Sequence, residues 1–430
     1  MVLILNSNEK DFDENFKRLV NVSREISFDV GDVVKDIIND VRKNGDEALI
    51  RLSAKFDNLD LEAKNFRFSK AEIKQAKDDT PKEVVKSLEF AFERITSHHE
   101  KQLPKTHIYQ DEIGVTLGSR WNAVEAAGLY VPGGLASYPS SVLMNAVPAK
   151  VAGVKRLAMA VPTPNGQVNP AVLAAADIAG IDEIYKLGGA QAIAALAYGT
   201  KTIEPVNKIV GPGNAYVAEA KRQVFGMVGI DMIAGPSEIL VIGDKSANPA
   251  WVAIDLLAQA EHGSSAQSIF ISTDEELAKQ VEKQVQKQLE FLSRSEIAKQ
   301  GWEKFGTIIT VNNLDEAFEC SNALAPEHLE LALDDAQQYL DKITNAGAIF
   351  LGHHTPEAIG DYVGGSNHVL PTAGSAKFAS GLSVIDFMKR TSILGCDPAS
   401  LAKLSEPTVI LAKTEGLDAH AKSVSIRLNR

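Results

Sequence analysis

Gly128-Leu-Tyr-Val-Pro-Gly-Gly134 decides the fold, because an apolar strand ends there in a glycine turn and a helix is expected soon after it, at 139–154. The same unit then recurs along the chain. Further strands are expected at 156–161, 183–187 and 208–210, and a helix follows each of them. Alternation of strand and helix is typical of a mostly parallel sheet that is covered by helices on both faces.

A second array of the same kind follows about 110 residues later, which predicts an α/β fold with two related Rossmann-like open-sheet domains. Its strands are expected at 238–242, 267–272, 306–311 and 347–351. Residues 27–126 contain long amphipathic helices. The stretch 106–131 alternates in the manner of strands, with turn glycines at Gly114 and Gly118, but 27–126 has no open sheet of its own. We therefore assign 27–126 to the second array.

Four regions are predicted from these patterns. The two open-sheet domains are preceded by a small arm and followed by an extension. The boundaries are 1–26 for the arm, 27–126 plus 238–380 for one domain, 127–237 for the other domain, and 381–430 for the C-terminal extension.

The composition excludes several classes of function. The chain has 430 residues and a formal net charge of −12, and an acidic protein is poorly suited to bind nucleic acid. No run reaches the ~18 consecutive apolar residues of a membrane span, and the apolar start of the chain is too short for a signal peptide. The two cysteines, Cys320 and Cys396, are too few for a disulfide framework or a thiolate zinc site. We expect a soluble cytoplasmic protein.

Three glycine-rich loops leave strands of the first array and enter helices, at 130–134, 187–191 and 210–214. Glycines there let the backbone approach a phosphate, and each helix start offers free N–H donors. None of the loops matches the G-x-G-x-x-G dinucleotide signature with an acidic residue downstream. The need for a tight turn would explain the glycines of any single loop, but three such loops at one sheet edge favour a nucleotide-binding site.

Gln259 and His262 lie at the end of a helix predicted at 249–262 and stopped by Gly263. Their spacing of three residues places both side chains on one face of that helix. Taken alone, the pair is explained by a polar helix end that hydrogen-bonds its own last carbonyl groups. A functional interpretation requires other donors from elsewhere in the chain.

Such donors occur later in the sequence. Glu327 and His328 are expected in a loop or first helical turn, where they can act as two proton acceptors of different basicity, although a solvated turn is the alternative. Asp361 and His368 belong to a polar, glycine-rich segment, and His420 lies near the C terminus. Nitrogen and oxygen donors without thiolates suit a catalytic zinc. The residues alone thus indicate a metal site formed by Gln259, His262, Asp361 and either His420 or His368.

The remaining histidines and the cysteines have weaker claims to a functional role. On their local sequence we expect solvated helix positions, loop positions or structural roles for His98, His99, His353, His354, Cys320 and Cys396.

Seven blocks of sequence, in order over all but about the first 30 residues, resemble histidinol dehydrogenases. They are Tyr130-Val-Pro-Gly-Gly134, Tyr138-Pro-Ser-Ser-Val-Leu-Met-Asn-Ala146, Gly211-Pro-Gly-Asn214, Ile230-Asp-Met-Ile-Ala-Gly-Pro-Ser-Glu238, Gln259-Ala-Glu-His262, Ala325-Pro-Glu-His328 and Gly365-Ser-Asn-His368. The resemblance implies oxidation of L-histidinol through L-histidinal to L-histidine, the last step of histidine biosynthesis, with NAD+ used twice and one Zn2+ per subunit.

The resemblance also implies roles for individual residues. It implies zinc ligands at Gln259, His262, Asp361 and His420, with His420 supplied by the partner subunit of a homodimer through the C-terminal extension. It implies an acid–base pair in Glu327 and His328. In the domain at 127–237, the implied NAD contacts are Tyr130, Gln191 and Asn214. The implied substrate contacts are Ser237, Gln259, His262, His328, Asp361, His368, Glu415 and His420.

Two other functions stay open from the residues themselves. One is a zinc hydrolase on a double α/β scaffold, in which Glu327 serves as the base for a metal-activated water. The other is a nucleotide-binding module without catalytic activity.

Overall fold

The computed structural model describes residues 2–22, 30–133, 138–181, 183–233 and 235–429. The boundary predicted at 26/27 and Gly134 of the first glycine loop lie outside these residues. The strands of the described residues are β1 (Leu3–Asn6), β2 (His107–Gln110), β3 (Thr116–Ala123), β4 (Ala126–Tyr130), β5 (Arg156–Ala160), β6 (Glu183–Tyr185), β7 (Lys208–Val210), β8 (Gly229–Ile230), β9 (Glu238–Gly243), β10 (Gln267–Ser272), β11 (Gly306–Thr310), β12 (His328–Ala332), β13 (Ala348–Leu351) and β14 (Met388–Gly395).

The α-helices begin and end close to the predicted positions in both arrays, and no described helix is long and apolar enough to cross a membrane. They are α1 (Phe12–Val22), α2 (Gly31–Asn44), α3 (Asp46–Asp57), α4 (Lys70–Asp79), α5 (Lys82–Glu100), α6 (Pro139–Ala152), α7 (Pro170–Ile178), α8 (Gly189–Tyr198), α9 (Ala215–Val224), α10 (Pro249–Ala260), α11 (Glu275–Leu289), α12 (Ser295–Phe305), α13 (Leu314–Leu324), α14 (Glu357–Tyr362), α15 (Pro398–Thr414) and α16 (Asp418–Ser425).

The two arrays form two parallel sheets with the same internal strand order. The first sheet runs β6-β5-β4-β7-β8, and the second runs β1-β11-β10-β9-β12-β13. Numbered within each array, both orders read 3-2-1-4-5, which is the order of a Rossmann half with its reversal between the first and fourth strands. The prediction of two related Rossmann-like open-sheet domains is confirmed. β1 adds an edge strand to the second sheet, so the N-terminal arm is part of that domain.

The helices of residues 30–100 pack against the first sheet, and their assignment to the second array was wrong. α4 and α5 cover one face together with α6 and α7. On the other face, α2 and α3 pack with α8 and α9. The physical reason is that the second sheet has no face left to cover, because α10–α12 bury one face and α1 with α13 buries the other.

The sequence did not predict strand β12, and of the two turn glycines expected within 106–131 the one at Gly118 was wrong. β12 was missed because His328 and Glu330 give it a polar alternation, yet it is buried in the middle of the second sheet between β9 and β13. Residues 107–123 do form a sheet, which is antiparallel and includes β14 from the C-terminal extension. Gly118 lies inside β3 rather than in a turn, and a Cβ there would lie 2.4 Å from the His107 carbonyl oxygen.

His99 also differs from its predicted solvated position. It is buried on the inner face of α5, and its Nδ1 donates a hydrogen bond to the Ile95 carbonyl oxygen at 2.8 Å. His98 next to it is exposed, as expected.

Opposite edges of the two sheets face each other. Pro132 and Gly211 follow the carboxyl ends of β4 and β7, which flank the strand-order reversal of the first sheet. Ser237 and Glu327 precede the amino ends of β9 and β12, which flank the corresponding reversal of the second sheet. All four residues line one cavity of about 350 Å³. A ligand therefore meets the usual binding edge of the first sheet and the opposite edge of the second.

Candidate active site

The amino edge of the second sheet explains why the end of α10 reaches this cavity. A helix that connects two parallel strands runs antiparallel to them, so its C-terminal end returns to the amino edge of the sheet. α10 follows β9 in this way and ends at Ala260, two residues earlier than predicted. His262 lies in the turn beyond the helix, where its N–H bonds the Gln259 carbonyl oxygen at 3.1 Å. The side chain of His262 lines the cavity.

Gln259 carries a buried amide that no group in the described ranges satisfies. The residue has no exposed surface, and neither its Oε1 nor its Nε2 has a hydrogen-bond partner among the described residues. Leaving a buried polar group unpaired costs about 1–3 kcal/mol. An amide oxygen in this condition fits a metal ligand, because coordination would supply the missing partner.

Glu327 and His328 are both buried at the start of β12, and the backbone of Glu238 holds them. The Glu238 N–H donates to Glu327 Oε2, and His328 Nδ1 donates to the Glu238 carbonyl oxygen, each at 2.9 Å. Because Nδ1 carries the proton, Nε2 of His328 is left as the acceptor, and it is buried with no hydrogen-bond partner in the described part of the chain. The arrangement is that of a neutral imidazole prepared to accept a proton.

Burial shifts the pKa values of the two groups in opposite directions. It lowers the pKa of His328 to about 4, which keeps the imidazole neutral near pH 7. It raises the pKa of Glu327 well above its ordinary value, and the nearby Glu238 and Asp361 carboxyls add to the rise. A carboxylate with a raised pKa is a stronger base than an exposed one.

Asp361 and Glu357 belong to α14, and both lie beside His328. His328 Nε2 is 3.9 Å from Asp361 Oδ1, and His328 Nδ1 is 3.4 Å from Glu357 Oε1. Ligand atoms of the three residues lie within 4.8 Å of one another, a spacing at which they could hold a metal ion. Glu357 Oε2 is also buried, and no described residue hydrogen-bonds to it. Sequence reasoning missed Glu357, although its spacing of four residues from Asp361 places both carboxyls on one helical face.

His368 joins the same cavity and connects the two domains. Its Nδ1 donates to the Asp361 carbonyl oxygen at 2.9 Å. Its Nε2 therefore accepts a hydrogen bond from Ser141 Oγ, at 3.1 Å, and Ser141 belongs to α6 of the first domain. Ser141 was not identified from the sequence, because only the fold brings α6 to the second domain.

The residues expected to contact NAD lie together in a neighbouring cavity of about 510 Å³. Tyr130 is buried and its hydroxyl accepts the N–H of Gly189 at 3.1 Å, Gln191 is buried in the first turn of α8, and Asn214 caps α9. The two cavities share Pro132, Gly213 and Asn214, so they form one continuous cleft.

A buried ion pair fixes one wall of this cleft. Lys221 and Asp231 form a salt bridge, and they also bond the Gly211 carbonyl oxygen and N–H, respectively, at 2.9 and 2.8 Å. Gly211 has φ +112°, and a Cβ there would lie 2.0 Å from the Tyr130 carbonyl oxygen. Only glycine fits this position, which holds the third glycine loop against the end of β4.

His420 and Glu415 do not reach the site within this chain. Both are exposed, Glu415 at the end of α15 and His420 on α16, and neither lines the cavity that contains His262, Asp361 and Ser237. The other predicted site residues are brought to the cleft or to its border.

Comparison with known proteins gives a consistent result over the whole chain. The family model of histidinol dehydrogenase matches residues 21–428. Histidinol dehydrogenases of Agrobacterium fabrum and Mesorhizobium japonicum are 61% and 58% identical over 429 residues, and the matches cover 100% of this chain and 99% and 100% of those proteins. The crystal structure of histidinol dehydrogenase from Elizabethkingia anophelis superimposes with a TM-score of 0.95 at 38% identity, over 100% of this chain and 98% of that one. Together with the double open-sheet fold, these matches establish that the chain belongs to the histidinol dehydrogenase family of oxidoreductases.

Proposed function

We propose that this enzyme oxidises L-histidinol to L-histidine through L-histidinal, with two successive NAD+ and a bound Zn2+. The observation that supports the zinc dependence is the Gln259 amide, which is fully buried with no partner among the residues that the structure describes, and whose backbone bonds His262 of the cavity that also contains Asp361. Membership of an oxidoreductase family leaves no support for the hydrolase or the non-catalytic module.

Gln259, His262 and Asp361 would hold the metal from this chain, and His420 of the partner subunit would complete the set. Bound zinc supplies a Lewis-acidic anchor for the imidazole and amine of the substrate. His368 and Ser237 line the same cavity and would contact the substrate from the other sides. Holding the substrate at several points orients the carbinol carbon towards the second cavity.

His328 would act as the base in the first oxidation. Its Nε2 is an unprotonated acceptor 3.9 Å from Asp361 Oδ1, and the Glu238 carbonyl oxygen fixes this tautomer. It would take the hydroxyl proton as hydride leaves the carbinol carbon, which gives the aldehyde.

Glu327 would act as the base in the second oxidation. Its carboxylate would remove a proton from water as the water oxygen adds to the aldehyde carbon, and the protonated His328 would return its proton to the aldehyde oxygen, which gives a gem-diol. A second hydride transfer from that carbon to NAD+, with His328 again taking a hydroxyl proton, gives the carboxylic acid. The high proton affinity that burial gives to Glu327 suits this task.

A homodimer with shared sites is supported by the position of the C-terminal extension. His420 and Glu415 are exposed and outside the cavity of their own chain. Exposed apolar residues occur in the same extension, with Leu394 72% exposed and Leu411 62% exposed. Such residues are expected at a surface that a second copy covers.

Two experiments test the proposal. Zinc-loaded enzyme with histidinol and NAD+ should produce two NADH for each histidinol consumed, and one NADH per histidinol, with histidinal as the product, would refute the four-electron reaction. Mixing inactive His262→Ala and His420→Ala proteins should restore activity, because a mixed dimer contains one site with both ligands intact. Subunit exchange without recovery would refute the shared site.

A further inference from the structure

Asp57 is a half-buried carboxyl group with no role in the chemistry described above. It is the last residue of α3 and it lines the 510 Å³ cavity. Its Oδ2 is shielded from solvent and has no hydrogen-bond partner among the described residues. Burial raises the pKa of this carboxyl above its ordinary value. The folded chain therefore holds a carboxyl group in a place that is unfavourable for its charge.

Helix stability does not explain Asp57. A negative charge in the last turn of a helix opposes the helix dipole, so an acid is among the least favourable choices there. The end of α3 is made instead by Asn58, which adopts the left-handed conformation and donates its N–H to the Ser53 carbonyl oxygen. The end of α3 therefore gives no structural reason for a carboxyl group at this position.

The position of Asp57 along the cleft indicates which part of a dinucleotide it would meet. This step rests on the proposed function, in which the nicotinamide lies in the cavity of Glu327 and His328. The adenosine half then extends into the adjoining cavity, where Phe56 and Tyr216 expose 50% and 42% of their surfaces. Exposed aromatic faces in a cleft are suited to stack on an adenine ring.

Asp57 lies close to Tyr130 in this cavity. Its charge contributes to the rise in the pKa of the Tyr130 phenol to about 12, for which burial is the main cause. A ribose bound beside Tyr130 would thus lie near the Asp57 carboxylate, whose Oδ2 is available to accept a hydrogen bond.

We propose that Asp57 accepts a hydrogen bond from the 2′-hydroxyl of the adenosine ribose and thereby selects NAD+ over its 2′-phosphorylated form. In ordinary Rossmann domains an acid that follows a later strand has this role. Here the glycine loops lack such an acid, and a helix outside the sheet supplies it. A 2′-phosphate would place at least one negative charge against the half-buried carboxylate.

Lys55 is the cation that opposes this effect. It lines the same cavity, but its side chain is exposed and its ammonium group lies 5.1 Å from the centroid of the Phe56 ring. Solvent screens its attraction for a phosphate, whereas the shielded oxygen of Asp57 is screened less.

Calorimetric titration of the full-length protein with ADP-ribose and 2′-phospho-ADP-ribose tests the proposal without requiring turnover. The unmodified protein should bind ADP-ribose more tightly. In Asp57→Asn, the ratio of the two dissociation constants should fall by about tenfold or more. Asp60→Asn, which removes an exposed carboxylate three residues away, should leave the ratio unchanged. The melting temperature of Asp57→Asn should stay the same or rise, since the helix loses an unfavourable charge.

Three outcomes would count against the proposal in different ways. An unchanged ratio in Asp57→Asn, with ADP-ribose still bound, overturns the role of Asp57 and leaves NAD dependence intact. Equal weakening of both ligands together with a lower melting temperature assigns Asp57 a structural role and also overturns it. Failure of the unmodified protein to bind either ADP-ribose or NAD+ overturns the proposed use of NAD+ itself.

Discussion

Ser141 Oγ donates a hydrogen bond to His368 Nε2 across 3.1 Å, and this bond joins the first domain to the candidate substrate cavity of the second. His368 is fixed on its other side by the Asp361 carbonyl oxygen. The imidazole is therefore oriented by one group from each domain. A change in how the domains pack would move it.

Ser141→Ala removes the donor to His368 and should raise the KM for histidinol by about 2–10-fold, since a hydrogen bond of this kind contributes about 0.5–1.5 kcal/mol. The KM for NAD+ should change less than the KM for histidinol, because Ser141 lies outside the cavity of Tyr130 and Gln191, where the adenosine half would bind. In a His368→Ala background the same serine substitution should have no further effect. Equal losses in both backgrounds would show that Ser141 acts independently of His368.

Glu327→Gln should slow oxidation of histidinal by about 10²-fold or more and oxidation of histidinol much less, because the loss of a general base affects the step that activates water. Glutamine keeps an oxygen to accept the Glu238 N–H, so the backbone arrangement at the start of β12 is retained. NADH formation from each substrate, measured separately, tests the division. Glu319→Gln, on the exposed side of α13, is the matched control. Equal slowing of both oxidations would contradict separate roles for Glu327 and His328.

The sequence predicted both sheets because their strands are apolar runs bounded by glycine and proline. It predicted less well where the functional residues of the second sheet lie. β12 carries His328 and Glu330 in a buried central strand, and such polar residues are tolerated there only because groups distant in sequence satisfy or surround them. Nothing local to 325–330 distinguishes this strand from a solvated turn.

Local sequence patterns also did not determine which sheet each helix packs against. The sequences of α2 and α5 give each helix an apolar face that could pack against either sheet. Which sheet they cover depends on which sheet faces other helices already cover. The same applies to Gln259. Its helix was predicted, but the arrival of that helix end at the amino edge of a sheet followed only from the strand order.

The cysteines should be dispensable for the reaction. Burial raises the pKa of the Cys320 thiol to about 11, with Glu316 and Glu319 adding to the rise, so at pH 8 only about 0.1% would be thiolate. Cys396 is exposed. Iodoacetamide should alkylate Cys396 while activity is unchanged, and Cys320 should react faster as the pH rises towards 11. Mass spectrometry with parallel assays checks this, and activity lost in step with alkylation of either thiol would support a cysteine nucleophile.

Gln259→Met offers a test of the metal site that does not depend on activity. Methionine replaces the unpaired buried amide with an apolar group of similar length, so the metal-free variant should melt at the same temperature as the unmodified protein or higher. Zinc at about 100 times its dissociation constant should raise the melting temperature of the unmodified protein by roughly 2–5 °C and that of the variant much less. An equal rise in both proteins would exclude Gln259 as a ligand. A destabilised metal-free variant would instead mean that the amide has a protein partner, and the argument from its unpaired atoms would fail with it.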